Sequence, residues 1–130
     1  MANSKLLIDT SVIIDFLRKK DKRKSKFWRY INKYDCYISI ITHFELFCGA
    51  NTKLKRAELE KLLNFLTVIN FNTDISFQAS NIFTSLKKQN KLIEFRDIFI
   101  ASTAMSLKIP LATLNKKHFD RVKGIKLLSN

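Results

Sequence analysis

The stretch Leu6-Leu7-Ile8-Asp9-Thr10-Ser11-Val12-Ile13-Ile14-Asp15 decides the fold. Three apolar residues run into an acid, two hydroxyl residues and a second apolar run. A short apolar run with no polar alternation reads as a strand covered on both faces, the pattern of a parallel sheet. Asp9 then stands at the carboxyl end of that strand, the edge where open α/β sheets bind ligands. Ser11 can cap the helix that follows, its hydroxyl accepting a bond from a free backbone N–H. Two readings of Asp9 stay open here: a ligand-binding carboxylate, or a turn and cap residue.

Further along, the same alternation repeats. Cys36-Tyr37-Ile38-Ser39-Ile40-Ile41 reads as a second strand. Thr42-His43-Phe44-Glu45 has the spacing of a capping box, opening a helix that stops near Gly49. Leu59, Leu62, Leu63 and Leu66 form a helical stripe over residues 53–66. Val68-Ile69-Asn70-Phe71 is a short third strand, and a longer helix from Asp74 buries Ile75, Ala79, Ile82, Phe83 and Leu86. Phe95-Arg96-Asp97 opens another helix. Leu111-Ala112-Thr113 is a fourth strand, residues 115–119 a short capped turn, and Ile125-Lys126-Leu127-Leu128 a fifth strand. Strands alternating with helices give an α/β fold: one domain over residues 1–130, with about five mostly parallel strands flanked by helices. Right-handed crossovers put the strand-end loops on one edge, where Asp9, Glu45, Asp97 and Asn115 can meet.

Composition narrows the classes. The chain has 130 residues, 46% of them hydrophobic, with two Gly and one Pro, so long flexible linkers are excluded. No apolar run approaches the roughly 18 residues that span a bilayer. The N-terminus lacks the charge, apolar and small-residue pattern of a secretory signal. Cys36 and Cys48 read as reduced core thiols of a cytoplasmic protein. The net charge of +13 favours a polyanionic partner, although Lys-, Asn-, Ile- and Phe-rich composition also follows from an AT-rich gene. Seven of the nine residues from Arg18 to Lys26 are basic. Lys22, Arg23, Lys24 and Lys26 are the candidate phosphate contacts, against the alternative of a solvated face, which fits most of the run's lysines better.

Carboxylates gathered in one cleft repel each other, and without a cation at least one takes up a proton. A hard divalent ion removes the conflict, and oxygen ligands suit Mg²⁺ or Mn²⁺. Two such ions, about 3.5–4 Å apart, clamp both the attacking and the leaving oxygen of a phosphoryl displacement. An acidic notch on a basic protein fits cleavage of a phosphodiester.

These residues carry a resemblance. LLIDTSVIIDFL, ITHFELFCGA, FRDIFIASTAMSLKIPLATLNKKHF and the closing GIKLL, in this order and spacing, resemble the PIN-domain family and, within it, the VapC-type toxins of toxin–antitoxin pairs. The resemblance implies a five-stranded parallel sheet and a Mg²⁺- or Mn²⁺-dependent endoribonuclease with an RNA substrate. It also implies a cognate antitoxin and a homodimer. By position, Asp9, Glu45 and Asp97 match the family's acidic catalytic and metal-site residues. Glu45 is either a third ligand or the group that orients a metal-bound water. Asn115 stands where many members have a fourth acid, which leaves one negative charge fewer for a second ion. Thr10, Ser11, Thr113 and Asn115 are candidates to support the ligands by hydrogen bonds. His118, Asp15 and Glu94 read as structural. Haloacid-dehalogenase-like phosphatases need an acid where Ser11 stands, and receiver domains need an acid pair that is absent here. The rival class is a PIN-like module that binds nucleic acid or antitoxin without cutting.

Overall fold

The computed structural model describes residues 3–129. β1 (Lys5–Ile8), β2 (Asp35–Ser39), β3 (Thr67–Ile69) and β4 (Leu111–Ala112) form one sheet in the order β3-β2-β1-β4, with every neighbouring pair parallel. The opening strand thus has a partner on each side. Leu6 and Ile8 face one apolar layer and Leu7 the other, and all three are fully buried. That is why the stretch shows no polar alternation.

The first layer packs Leu6 and Ile8 against residues of α1 (Thr10–Arg18), α2 (Lys26–Ile31), α3 (Ile40–Gly49) and α4 (Lys53–Leu63), among them Val12, Phe27, Leu46 and Leu59. The second packs Leu7 against α5 (Thr73–Lys88), α6 (Phe95–Leu107) and α7 (Lys116–Phe119), through Ile82, Leu86, Ile98, Ala101 and Phe119. From β1 the chain moves outward to β2 and β3, then returns to the other side of β1 as β4. The carboxyl ends of β1 and β4 therefore flank the point where strand order reverses, the place where such sheets leave a crevice.

Several expectations change. The fifth strand is reduced to a single bridge, Leu111 to Leu127, with Leu111 N–H donating to Lys126 O (2.9 Å) and Leu128 N–H to Leu111 O (2.8 Å). β4 is itself only two residues long, so it offers a fifth strand little to pair with. The second strand ends at Ser39, whose Oγ accepts from Ile41 N–H (3.0 Å) and caps α3. Ile40 and Ile41 are thus helical, and the Thr42–Glu45 capping box does not form. Ser11 lies inside α1 rather than capping it. Cys36 is buried, which pushes its thiol up to about 12, whereas Cys48 is exposed in the last turn of α3 and is no core residue. Among the described residues no helix is long and apolar enough to cross a membrane.

Lys22 also changes role. Its Nζ donates to the carbonyls of Phe16 (3.1 Å) and Leu17 (2.9 Å) in the last turn of α1, and it lies 3.7 Å from Glu58. A cation there satisfies the helix C-terminus and its dipole. Lys22 is committed to the fold, while Arg23 and Lys24 are exposed. Lys22→Met should cost about 1 kcal/mol, read as a lower urea midpoint, and leave RNA affinity unchanged. An unchanged midpoint with weaker RNA binding would return Lys22 to the basic surface.

Candidate active site

Asp9 takes an extended backbone (φ −72°, ψ 151°) ahead of α1, and its side chain makes no cap bond. Its carboxylate is fully buried and turns into the crevice. Oδ2 accepts from Ser11 Oγ (2.7 Å) and Thr113 Oγ1 (2.8 Å), so hydroxyls from both flanking segments hold it. Ser11 Oγ in turn accepts from Leu114 N–H (3.1 Å), tying the β4 loop to α1. The plain capping role for Asp9 is absent.

Glu45 comes from α3, one turn beyond Thr42. Its Oε1 accepts from Thr10 Oγ1 (2.7 Å), and Thr10 Oγ1 lies 2.9 Å from the buried Thr42 Oγ1. A hydroxyl has one proton. Thr10 spends its own on Glu45, so Thr42 is the donor in the second contact. Asp97 lies in the first turn of α6, is 2% exposed, and has Oδ2 at 3.3 Å from His118 Nδ1.

The three acids converge on one group absent from the sequence-based candidates, the guanidinium of Arg96. Nε donates to Glu45 Oε2 (2.5 Å) and Nη2 to Glu45 Oε1 (2.8 Å), a two-pronged pair. Nη1 donates to Asp97 Oδ1, and Nη2 lies 3.5 Å from Asp9 Oδ1. One guanidinium faces three carboxylates, and the shares are unequal. Burial pushes Glu45 up, but the bonds from Arg96 and Thr10 outweigh it and hold the carboxyl below its ordinary range. For Asp97 burial wins and raises it, helped by the charge of Asp9 and opposed by Arg96 and His118. The bond to Glu45 is the main reason Arg96 is held even more firmly protonated than a free arginine.

The candidate residues therefore divide. Asp9, Glu45 and Asp97 share one notch, with Thr10, Ser11 and Thr113 bonded to them. Asn115 is outside it: its side chain is exposed and caps nothing, and its N–H donates to Thr113 Oγ1 (2.9 Å). His118 does touch the notch. Asp15 is structural as read, paired with Lys19 at 3.4 Å along α1. Glu94 occupies the α6 cap position without a side-chain cap bond. Among the described residues no three or more His, Cys, Asp or Glu side chains are arranged to hold a metal ion; the acids are spaced around the guanidinium instead. The sequence does carry a charge signal for Arg96, a cation next to Asp97.

The PIN domain model matches residues 6–125. Ribonuclease VapC1 of Methanocaldococcus jannaschii is 35% identical over 126 residues, covering 95% of this chain and 87% of the relative. Ribonuclease VapC1 of Rickettsia felis is 34% identical over 131 residues, covering 95% of each. The solved structure of VapBC-1 from nontypeable Haemophilus influenzae superposes with a TM-score of 0.83 at 27% identity, over 96% of this chain and 97% of that one. Acids at a sheet crevice, strands in this order and relatives along the whole chain agree, and the chain belongs to the PIN-domain family, among its VapC ribonucleases.

Proposed function

We propose that this protein is a divalent-metal-dependent endoribonuclease and the toxin of a toxin–antitoxin pair. The observation that carries the reading is the convergence of Asp9, Glu45 and Asp97, from three separate segments, on one cation position at the crevice of a basic chain. Relatives named as ribonucleases supply the reaction class. A carboxylate set of this kind is the hard-oxygen donor chemistry that Mg²⁺ or Mn²⁺ takes. Such an ion, when bound, activates water and steadies charge on the phosphate. An ion and the Arg96 guanidinium would compete for the same oxygens. Ser11, Thr113 and Thr10 hold the carboxylates in orientation, and Glu45 is the half-buried member able to turn toward water. Surface lysines and arginines hold the RNA backbone.

An antitoxin partner is part of this reading, because the Haemophilus neighbour is a VapBC complex. A groove of about 310 Å³ between α1, α3 and α4, floored by Ile14, Leu17, Leu46 and Leu59, reaches Glu45 and suits an apolar partner segment. A homodimer in the cytoplasm completes the reading, with the exposed rings of Phe77 and Phe95 as apolar surface for a second copy.

Purified protein should leave an end-labelled RNA intact in EDTA and cut it internally with Mg²⁺ or Mn²⁺. The same ions should raise the melting temperature by binding the folded state, and Asp9→Asn should blunt both responses. RNA retained but never cut, with any divalent ion, would replace the enzyme by the binding module.

A further inference from the structure

Beside the notch lies a second cleft of about 350 Å³, lined by Lys26, Thr113, Leu114, Asn115, Lys116, Lys117 and His118. We propose that this cleft binds one nucleotide of single-stranded RNA flanking the cleaved bond, its phosphate on the lysines and its base against Leu114 and Asn115. The proposal rests on the ribonuclease reading and adds where the substrate lies.

Four observations support it. The cleft falls within the size of small-ligand sites, about 300–1,000 Å³. Its cations come from two distant segments, Lys26 at the start of α2 and Lys116 and Lys117 on α7. No carboxylate lines it, and no acid within ion-pair distance engages Lys26, Lys116 or Lys117 among the described residues. Its wall is continuous with the notch: Thr113 donates to Asp9, Leu114 N–H donates to Ser11, and His118 stands against Asp97.

The chemistry requires such a neighbour. The notch itself presents three carboxylates against one guanidinium, so it repels a phosphate that has no other support. Cations at its rim supply that support. Leu114, 44% exposed, and the uncapped amide of Asn115 add an apolar face and a donor–acceptor pair, which suit an unstacked base. Asn115 acquires a meaning here. An acid at that position would put negative charge at the mouth of the cleft; the amide keeps it open to a phosphate.

The test uses a fluorescein-labelled twelve-uridine RNA, read by anisotropy in EDTA so that nothing is cut. Replacing Lys26, Lys116 and Lys117 together by Gln should weaken binding at 0.1 M salt about fivefold for each phosphate that is no longer neutralised. It should also flatten the log–log salt slope by about 0.7 for each such phosphate. Neutral methylphosphonate linkages, moved one position at a time, should weaken binding to the parent at one place and leave the variant insensitive there. Asn115→Asp should lower RNA affinity. The exposed Lys117→Gln alone should show part of the effect if the triple variant fails to fold. Unchanged affinity and slope in folded variants, while the parent binds RNA, would overturn the cleft alone. So would an Asn115→Asp protein whose RNA affinity holds while its metal-induced rise in melting temperature grows. A parent with no salt-dependent RNA binding would remove both this proposal and the ribonuclease reading.

Discussion

In EDTA at neutral pH, Arg96→Gln should melt about 10 °C below the parent. Arg96 is the cation for Glu45, Asp97 and Asp9, and its removal leaves three carboxylates facing one another. Breaking a buried pair from one side costs about 3–5 kcal/mol. Arg96 is 26% exposed, which argues for the lower end. At this chain length each kcal/mol moves the melting temperature by about 3–4 °C. Mn²⁺ should then lift the variant more than the parent, because an ion takes over a position the guanidinium has left. The pH response has a definite sign. Without Arg96 the acids bind protons more tightly folded than unfolded, so stability rises as the pH falls from 7 toward 5. In the parent the two shifts oppose. The depressed Glu45 contributes stability that is present above its unfolded value and lost as the pH falls through its folded one. The raised Asp97 contributes stability that is present below its unfolded value and lost as the pH rises through its folded one. A melting temperature within two degrees or so of the parent would mean that the acids are spaced widely enough to need no counter-charge.

Most of the architecture is legible because burial writes itself into sequence. Leu6, Leu7 and Ile8 are apolar in unbroken succession because two layers cover them, and that one fact orders the sheet. The last strand is not legible in the same way. Ile125, Leu127 and Leu128 look like a strand, yet pairing depends on the length of the neighbour, and Leu111–Ala112 is short. Local rules fail again at residues 42–45. Thr42 and Glu45 have capping spacing, but the tertiary partners Thr10 and Arg96 claim them, and Ser39 caps the helix instead. Lys22 is a similar case, since a run of like charges does not show which member will find a helix end. Arg96 escapes any search that asks only which metal the acids would hold. The same repulsion between carboxylates, applied to the residue beside Asp97, leads to a guanidinium. Position along the chain draws Asn115 toward the notch, whereas the turn after β4 carries it to the neighbouring cleft.

Asp97→Asn should cut RNA cleavage by on the order of 100-fold or more, as losing one electrostatic stabiliser of a transition state typically does. It should leave the fold and RNA binding in place. Asp97 sits in the first turn of α6, where a carboxylate is also favoured by the helix dipole, so a purely structural role has to be tested. Its cap position is taken by Glu94, however, and its two oxygens are spent on Arg96 and His118. An amide keeps an acceptor for Arg96 and gives up the charge that faces His118. Burial already works against the Asp97 charge, so neutralising it removes a cost along with an attraction. The melting temperature without metal should therefore move by only a few degrees. RNA affinity in a calcium buffer should hold or rise, because phosphates meet one negative charge fewer. Rate and affinity thus move apart, which a binding module with no chemistry cannot show. Cleavage that persists at the parental rate in a folded Asp97→Asn protein would remove Asp97 from the reaction and leave its carboxylate as a counter-charge to Arg96.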